Sequence, residues 1–141
     1  MERVLFICTK NSARSQMAEG LVNHDLADRF QACSAGTAPS SVHPLAIEAM
    51  REVGIDISHH RSKSMDEFTR ESFDYVITLC DQANESCPVF FGGARRLHMG
   101  FPDPAAAGVT DEEKRGIFRK VRDQIRKKVE EFLREEASAT I

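Results

Sequence analysis

The chain has 141 residues, 41% hydrophobic and 29% charged, with a formal net charge of -3. That length holds one domain with one good core, and the small net charge leaves no electrostatic footprint for nucleic acid or an anionic membrane. No apolar run approaches the roughly 20 residues of a membrane-spanning helix. The opening residues turn polar too soon for a secretory leader, so a cytoplasmic location is expected. Four cysteines in a reducing compartment point to catalysis, metal binding or inert burial before a disulfide framework.

Val4 to Ile7 is an unbroken apolar run, the pattern of a central parallel strand covered on both faces. A polar loop follows, and Met17, Ala18, Leu21 and Val22 then recur at helical spacing. Phe30 to Ser34 predicts a second strand, ended by Ala35-Gly36-Thr37. His43-Pro44 opens a second helix carrying Leu45, Ile47, Ala49, Met50 and Val53, with Gly54 as its stop. Asp74 to Leu79 reads as a third strand ending at Cys80, and Arg95 to Met99 as a weaker fourth ending at Gly100. Thr110-Asp111-Glu112-Glu113 has capping-box spacing. Beyond it Ile117, Phe118, Val121, Ile125, Val129, Phe132 and Leu133 form one apolar stripe. Glu135 to Ile141 is expected to fray. Strands alternating with helices predict an α/β fold, a single domain over residues 1–141 with a four-stranded parallel sheet flanked by helices. Ligands of such folds bind beyond the carboxyl ends of the strands. Cys8 and Cys80 both fall there, and Asp103 lies just past a third strand.

The loop between the first strand and helix reads Cys8-Thr9-Lys10-Asn11-Ser12-Ala13-Arg14-Ser15. A loop entering a helix points unpaired backbone N–H groups into one concavity, and the helix dipole adds positive potential. Cys8 stands at its mouth and Arg14 at its close, where a planar guanidinium can grip two oxygens of a tetrahedral oxyanion. The same field favours the thiolate, the reactive form of a cysteine, and the Ser15 hydroxyl is placed to hydrogen-bond it. Thr9, Lys10, Asn11, Ser12, Ala13, Arg14 and Ser15 are the expected oxyanion-binding residues. Asp103 lies in Gly100-Phe101-Pro102-Asp103-Pro104, stiffened by prolines on either side. A carboxylic acid held over the loop can protonate a departing oxygen.

Cys80 and Cys87 are seven positions apart. Were the segment between them helical, the rise would be about 10.5 Å, beyond the ~7 Å limit between the Cα atoms of a disulfide. A Cys80–Cys87 bond therefore requires unwinding, and the polar residues between them give little apolar area to hold a helix. The pair reads as a thiol relay, as buried spectators, or as half of a zinc site. Zinc is disfavoured by the long spacing and the lack of a nearby histidine pair, so no metal is expected. His59 and His60 are expected at the surface, His98 in a strand, and Cys33 as a small core residue beside Ala32. Asp66, Asp74 and Asp81 are expected to be solvated or capping.

Residues Cys8 to Gly20 resemble the signature of the low-molecular-weight protein tyrosine phosphatase superfamily, and within it the chain is similar to the thioredoxin-coupled arsenate reductases. Asp103-Pro104 resembles the pair that supplies the general acid in both groups, and the resemblance runs from residue 3 to about 133. The downstream cysteine pair, which the phosphatases generally lack, discriminates most. The resemblance implies reduction of arsenate to arsenite. Cys8 would attack arsenic, Cys80 would then attack Cys8, Cys87 would attack Cys80, and thioredoxin would act as external reductant. No bound cofactor is implied, and a monomer is expected. The alternatives are a phosphatase of phosphate monoesters, which the loop, Arg14 and Asp103 fit equally well, and a non-enzymatic thiol sensor, which has no use for Arg14. Some arsenate reductases bind potassium beside the loop. Asn11, Glu19 and Ser34 match part of that site, but Arg61 and Lys63 stand where neutral and acidic ligands belong. A side-chain cation there would replace the ion.

Overall fold

The computed structural model describes residues 1–81, 95–106 and 108–139. Strand β1 (Glu2–Cys8) is followed by helix α1 (Arg14–Asp25), β2 (Phe30–Gly36), α2 (Pro44–Arg51), β3 (Tyr75–Thr78), β4 (Arg95–His98) and α3 (Asp111–Ala139). The four strands form one sheet in the order β2-β1-β3-β4, every neighbouring pair parallel. β1 has partners on both sides, which is why Val4, Leu5, Phe6 and Ile7 are wholly buried and read as unbroken apolar sequence.

This order brings distant residues to one edge. Ile7 pairs with Thr78, and the Leu79 amide donates to the Ile7 carbonyl at 2.8 Å, so Cys8 and Cys80 leave adjacent strands together. The Phe101 amide donates to the Leu79 carbonyl at 3.1 Å, which carries the segment before Asp103 to the same edge.

The helix ends follow local chemistry. α2 closes in a Schellman arrangement: Gly54 has φ +80°, its N–H donates to the Arg51 carbonyl at 3.0 Å and that of Ile55 to the Met50 carbonyl at 3.0 Å. Regular helix thus stops at Arg51, and Val53 lies in the closing turn. In α3 the Thr110 hydroxyl accepts the Glu113 amide at 3.2 Å, and Glu113 reaches back to the Val109 amide at 3.2 Å, one residue earlier than a standard capping box. Phe118, Val121, Ile125, Val129 and Leu133 are buried as the stripe predicts, with Ile117 and Phe132 packed at its margin.

Two expectations are corrected. β2 runs on to Gly36 because Ala35 and Gly36 pair with Ile7 and Cys8. The end of α3 does not fray at Glu135: the helix continues to Ala139, and Glu136 forms an ion pair with Arg95 of β4.

At the junction of α1 and α3 two carboxyl groups share one site. Arg126 grips Asp25 at 2.9 and 3.0 Å, while Glu130 is buried, its Oε1 3.2 Å from Arg134 and its Oε2 without a hydrogen bond, 3.9 Å from Arg126. Burial and the adjacent Asp25 raise the Glu130 pKa from 4.5 to about 8, and Asp25 is lowered to about 2. The folded chain therefore holds a proton on Glu130 that the unfolded chain has lost. Stability from this group is full below pH 4.5 and drains away as pH rises toward 8. Asp25 acts in the opposite sense, losing its contribution as pH falls from 3.8 toward 2. Melting temperature should therefore fall by ~5 °C or more between pH 5 and 8.5, and Glu130→Gln should remove most of that fall. A Glu130→Gln variant that retains the full slope would contradict this assignment.

Candidate active site

The loop after β1 is shaped by its own side chains and by the segment behind it. Asn11 takes a left-handed conformation, φ +49°, which asparagine tolerates better than most residues. Its buried side chain locks the bend, accepting from Gln16 Nε2 at 2.9 Å and from the Lys63 amide at 2.8 Å through Oδ1. Nδ2 donates to Ser15 Oγ at 2.7 Å. Ser15 Oγ lies 2.8 Å from Cys8 Sγ. Asn11 fills one lone pair of the serine oxygen, and either partner can donate between Ser15 and Cys8. When Cys8 is a thiolate only the serine hydroxyl can, so the pair is placed to hydrogen-bond the thiolate.

The loop carbonyls are tied outward. Those of Cys8, Thr9, Lys10 and Ser12 accept the amides of Thr37 at 3.2 Å, Ala38 at 2.8 Å, Ser40 at 3.1 Å and His43 at 2.9 Å. A peptide whose carbonyl points out turns its N–H the other way, so the loop amides gather in the concavity. α1 adds its first-turn amides, since Ala13 at its N-cap provides no side-chain cap. Gly36 is required for this approach: a Cβ there would stand 2.6 Å from the Thr9 carbonyl oxygen and 3.0 Å from Asn11.

Cys8, Arg14, Cys80 and Asp103 line one cavity of about 500 Å³, together with Thr9, Lys10, Ser12 and Ala13 of the loop. Asn11 and Ser15 are buried behind it and act on its shape and on Cys8. Arg14 is anchored by a bond from Nη1 to the Phe101 carbonyl at 3.1 Å, its Nη2 lies 4.0 Å from Asp103 Oδ2, and its buried Nε is unpaired. Asp103 is the more open partner, 41% exposed, with Oδ1 accepting the Ala105 amide at 3.0 Å. Cys80 is buried, its Sγ 3.2 Å from the Thr9 hydroxyl. Cys87 lies outside the described residues.

Other residues depart from expectation. His60 is not a surface residue: its Nδ1 meets Gln16 Oε1 at 2.9 Å and Glu19 Oε2 at 3.3 Å, and burial pushes its pKa down against the pull of Glu19. Gln16, which bridges Asn11, His60 and the Arg61 carbonyl, supports the loop and was missed, since its partners lie up to 45 residues away. Cys33 is only half-buried on β2, 3.9 Å from the Arg3 guanidinium, because that edge of the sheet carries the Arg3–Glu71 pair. Asp74 and Asp81, by contrast, are exposed as expected, Asp81 touching His98 Nε2 at 3.0 Å and Asp74 accepting the Arg3 amide at 2.7 Å.

Beside the loop, Glu19 Oε1 accepts from Ser34 at 2.8 Å and faces Lys63 Nζ at 3.7 Å, and that ammonium also donates to the Arg61 carbonyl at 3.0 Å. Arg61 itself turns outward to Glu67. The residues do not fit a potassium ion: Lys63 puts its own cation among the oxygens that would hold one. Turnover in potassium and in sodium at equal ionic strength should agree within about twofold, and a clear activation by potassium would contradict this. Among the described residues no cluster of three or more His, Cys, Asp or Glu could hold a metal ion, and no helix is long and apolar enough to cross a membrane.

A thiol at the mouth of an amide-lined loop, an arginine at its close and a carboxyl at its rim define a phosphatase-type oxyanion site. Residues 3–140 match the family described as low molecular weight phosphotyrosine protein phosphatase, and the chain belongs to that family. Within it the chain belongs with the arsenate reductases. The arsenate reductase of Halalkalibacterium halodurans is 46% identical over 129 residues, 92% of this chain and 93% of that protein. A solved arsenate reductase in the oxidized state superimposes with a TM-score of 0.79 at 34% identity, covering 96% of this chain and 98% of its own. A low molecular weight protein tyrosine phosphatase from T. tengcongensis gives a TM-score of 0.76 at 25% identity, covering 96% and 99%.

Proposed function

We propose that the chain reduces arsenate to arsenite through Cys8, Cys80 and Cys87, with thioredoxin restoring the thiols. The observation that carries this reading is the place of Cys80. Its sulfur rests 3.2 Å from the Thr9 hydroxyl, on the wall of the cavity that also holds Cys8 and Arg14. A phosphatase reaction needs the loop, Arg14 and an acid, but has no use for a second thiol there. Relatives matching over 92% of this chain bear the name arsenate reductase, so the phosphatase alternative is not favoured.

In this reading the loop amides and Arg14 bind arsenate, and the Cys8 thiolate, supported by Ser15, attacks arsenic. Asp103 gives its proton to the departing oxygen, which leaves as water, and a Cys8–arsenic bond remains. The Cys80 thiolate then attacks Cys8 Sγ. The sulfur–arsenic bond breaks, its electron pair stays with arsenic, and arsenite departs with arsenic reduced by two electrons. Cys87 attacks Cys80 in turn, freeing Cys8 and moving the disulfide to Cys80–Cys87. A reduced thioredoxin, supplying two electrons, opens that bond. Thr9 serves the second step by hydrogen-bonding Cys80 at the pocket wall.

Arsenate-dependent NADPH oxidation with thioredoxin and thioredoxin reductase tests the whole cycle. Sustained oxidation that stops when arsenate or thioredoxin is omitted is expected. Hydrolysis of phosphate esters without any arsenate-dependent oxidation would return the chain to the phosphatase reading.

A further inference from the structure

One histidine that lines the cavity has no part in the chemistry above. His43 precedes α2, and its backbone N–H donates to the Ser12 carbonyl at 2.9 Å, so the residue is fastened to the anion loop itself. Its Nδ1 accepts the Leu45 amide proton at 3.0 Å. A ring nitrogen that accepts carries no proton, so the neutral ring bears its hydrogen on Nε2, a donor. The ring packs on Phe118, centroids 4.8 Å apart, which holds its plane. Burial and then the Lys114 ammonium push its pKa down, with Asp103 opposing, so the ring is neutral at neutral pH. Nε2 has no hydrogen-bond partner among the described residues.

We propose that His43 is a further substrate-contacting residue, whose Nε2–H donates to an outward oxygen of the bound oxyanion beside Asp103. The inference rests on the oxyanion reading of this cavity and deepens it. Loop amides and Arg14 grip the inner oxygens of a tetrahedral ion and leave the outer ones to the rim. A neutral donor suits that rim. It adds a hydrogen bond without placing a second full positive charge beside Arg14 and Asp103.

The test uses two variants of the full chain. His43→Asn keeps a side-chain acceptor for the Leu45 amide, because asparagine is a strong N-cap, but loses the ring donor. His43→Ala loses both. Inorganic phosphate binding by calorimetry and kcat/KM for arsenate should each fall about tenfold in both variants, the usual loss of a hydrogen bond to a charged group. Only His43→Ala should also lower the melting temperature. If His43→Asn binds phosphate and turns over like the wild type, His43 is a helix cap alone and the inference is overturned. A wild-type chain that neither binds phosphate nor reduces arsenate would overturn the site reading, and this inference with it.

Discussion

Replacing Cys80 by serine should end multiple turnover while leaving the first step intact. The serine keeps a hydrogen bond to Thr9 and nearly the same volume, so the pocket and loop should persist. What disappears is the thiol that the proposed relay uses to attack Cys8 Sγ; among the described residues no other cysteine lines the cavity with Cys8. Steady arsenate-dependent NADPH oxidation should drop by at least about 10³-fold, because an alkoxyl cannot replace a thiolate in disulfide formation. Loss of the Cys8 thiol upon one exposure to arsenate should still be seen. Continued turnover of this variant with thioredoxin would remove the reason for the relay.

Arg14→Lys should cost nearly as much by a different route. Arg14 spans three places at once: Nη1 on the Phe101 carbonyl at 3.1 Å, Nη2 4.0 Å from Asp103, and a buried, unpaired Nε. A lysine keeps the charge but offers one compact ammonium, which cannot hold the Phe101 carbonyl and reach two oxyanion oxygens together. A loss of 10²- to 10³-fold in kcat/KM is expected, on the order found when one preorganised donor is removed from a transition-state site. Phosphate affinity should weaken in parallel. A fall of less than about tenfold would mean that the loop amides carry the oxyanion alone.

The parts of this site legible in the sequence are those set by short-range spacing. Cys8, Arg14 and Ser15 lie within eight residues of one another on a strand–loop–helix unit, and any chain folding that way brings them together. The apolar run of β1 announced a central strand, and strand–helix alternation announced the parallel sheet. The approach of Cys80 to Thr9 follows from β3 lying next to β1, which alternation suggests without fixing the strand order. Gln16, His60 and Lys63 escaped notice or were only half-read because their partners are set by the fold: His60 reaches Gln16 and Glu19 across more than forty residues. An adjacent histidine pair reads as a polar turn, and only the packed structure shows one ring drawn beneath the loop. His43 reads from sequence merely as the start of a helix, since nothing local reveals that it lines a cavity shared with Cys8, Cys80 and Asp103.

The relay depends most directly on contact between the sulfurs of Cys8 and Cys80 after arsenate has bound. A Cys87→Ser chain, given one equivalent of arsenate without thioredoxin and then alkylated and digested, should yield a linked pair of peptides joined through Cys8 and Cys80, with arsenite released in equal amount. Free Cys80 thiol alongside arsenite release, or a link from Cys8 to Cys33 instead, would contradict the account.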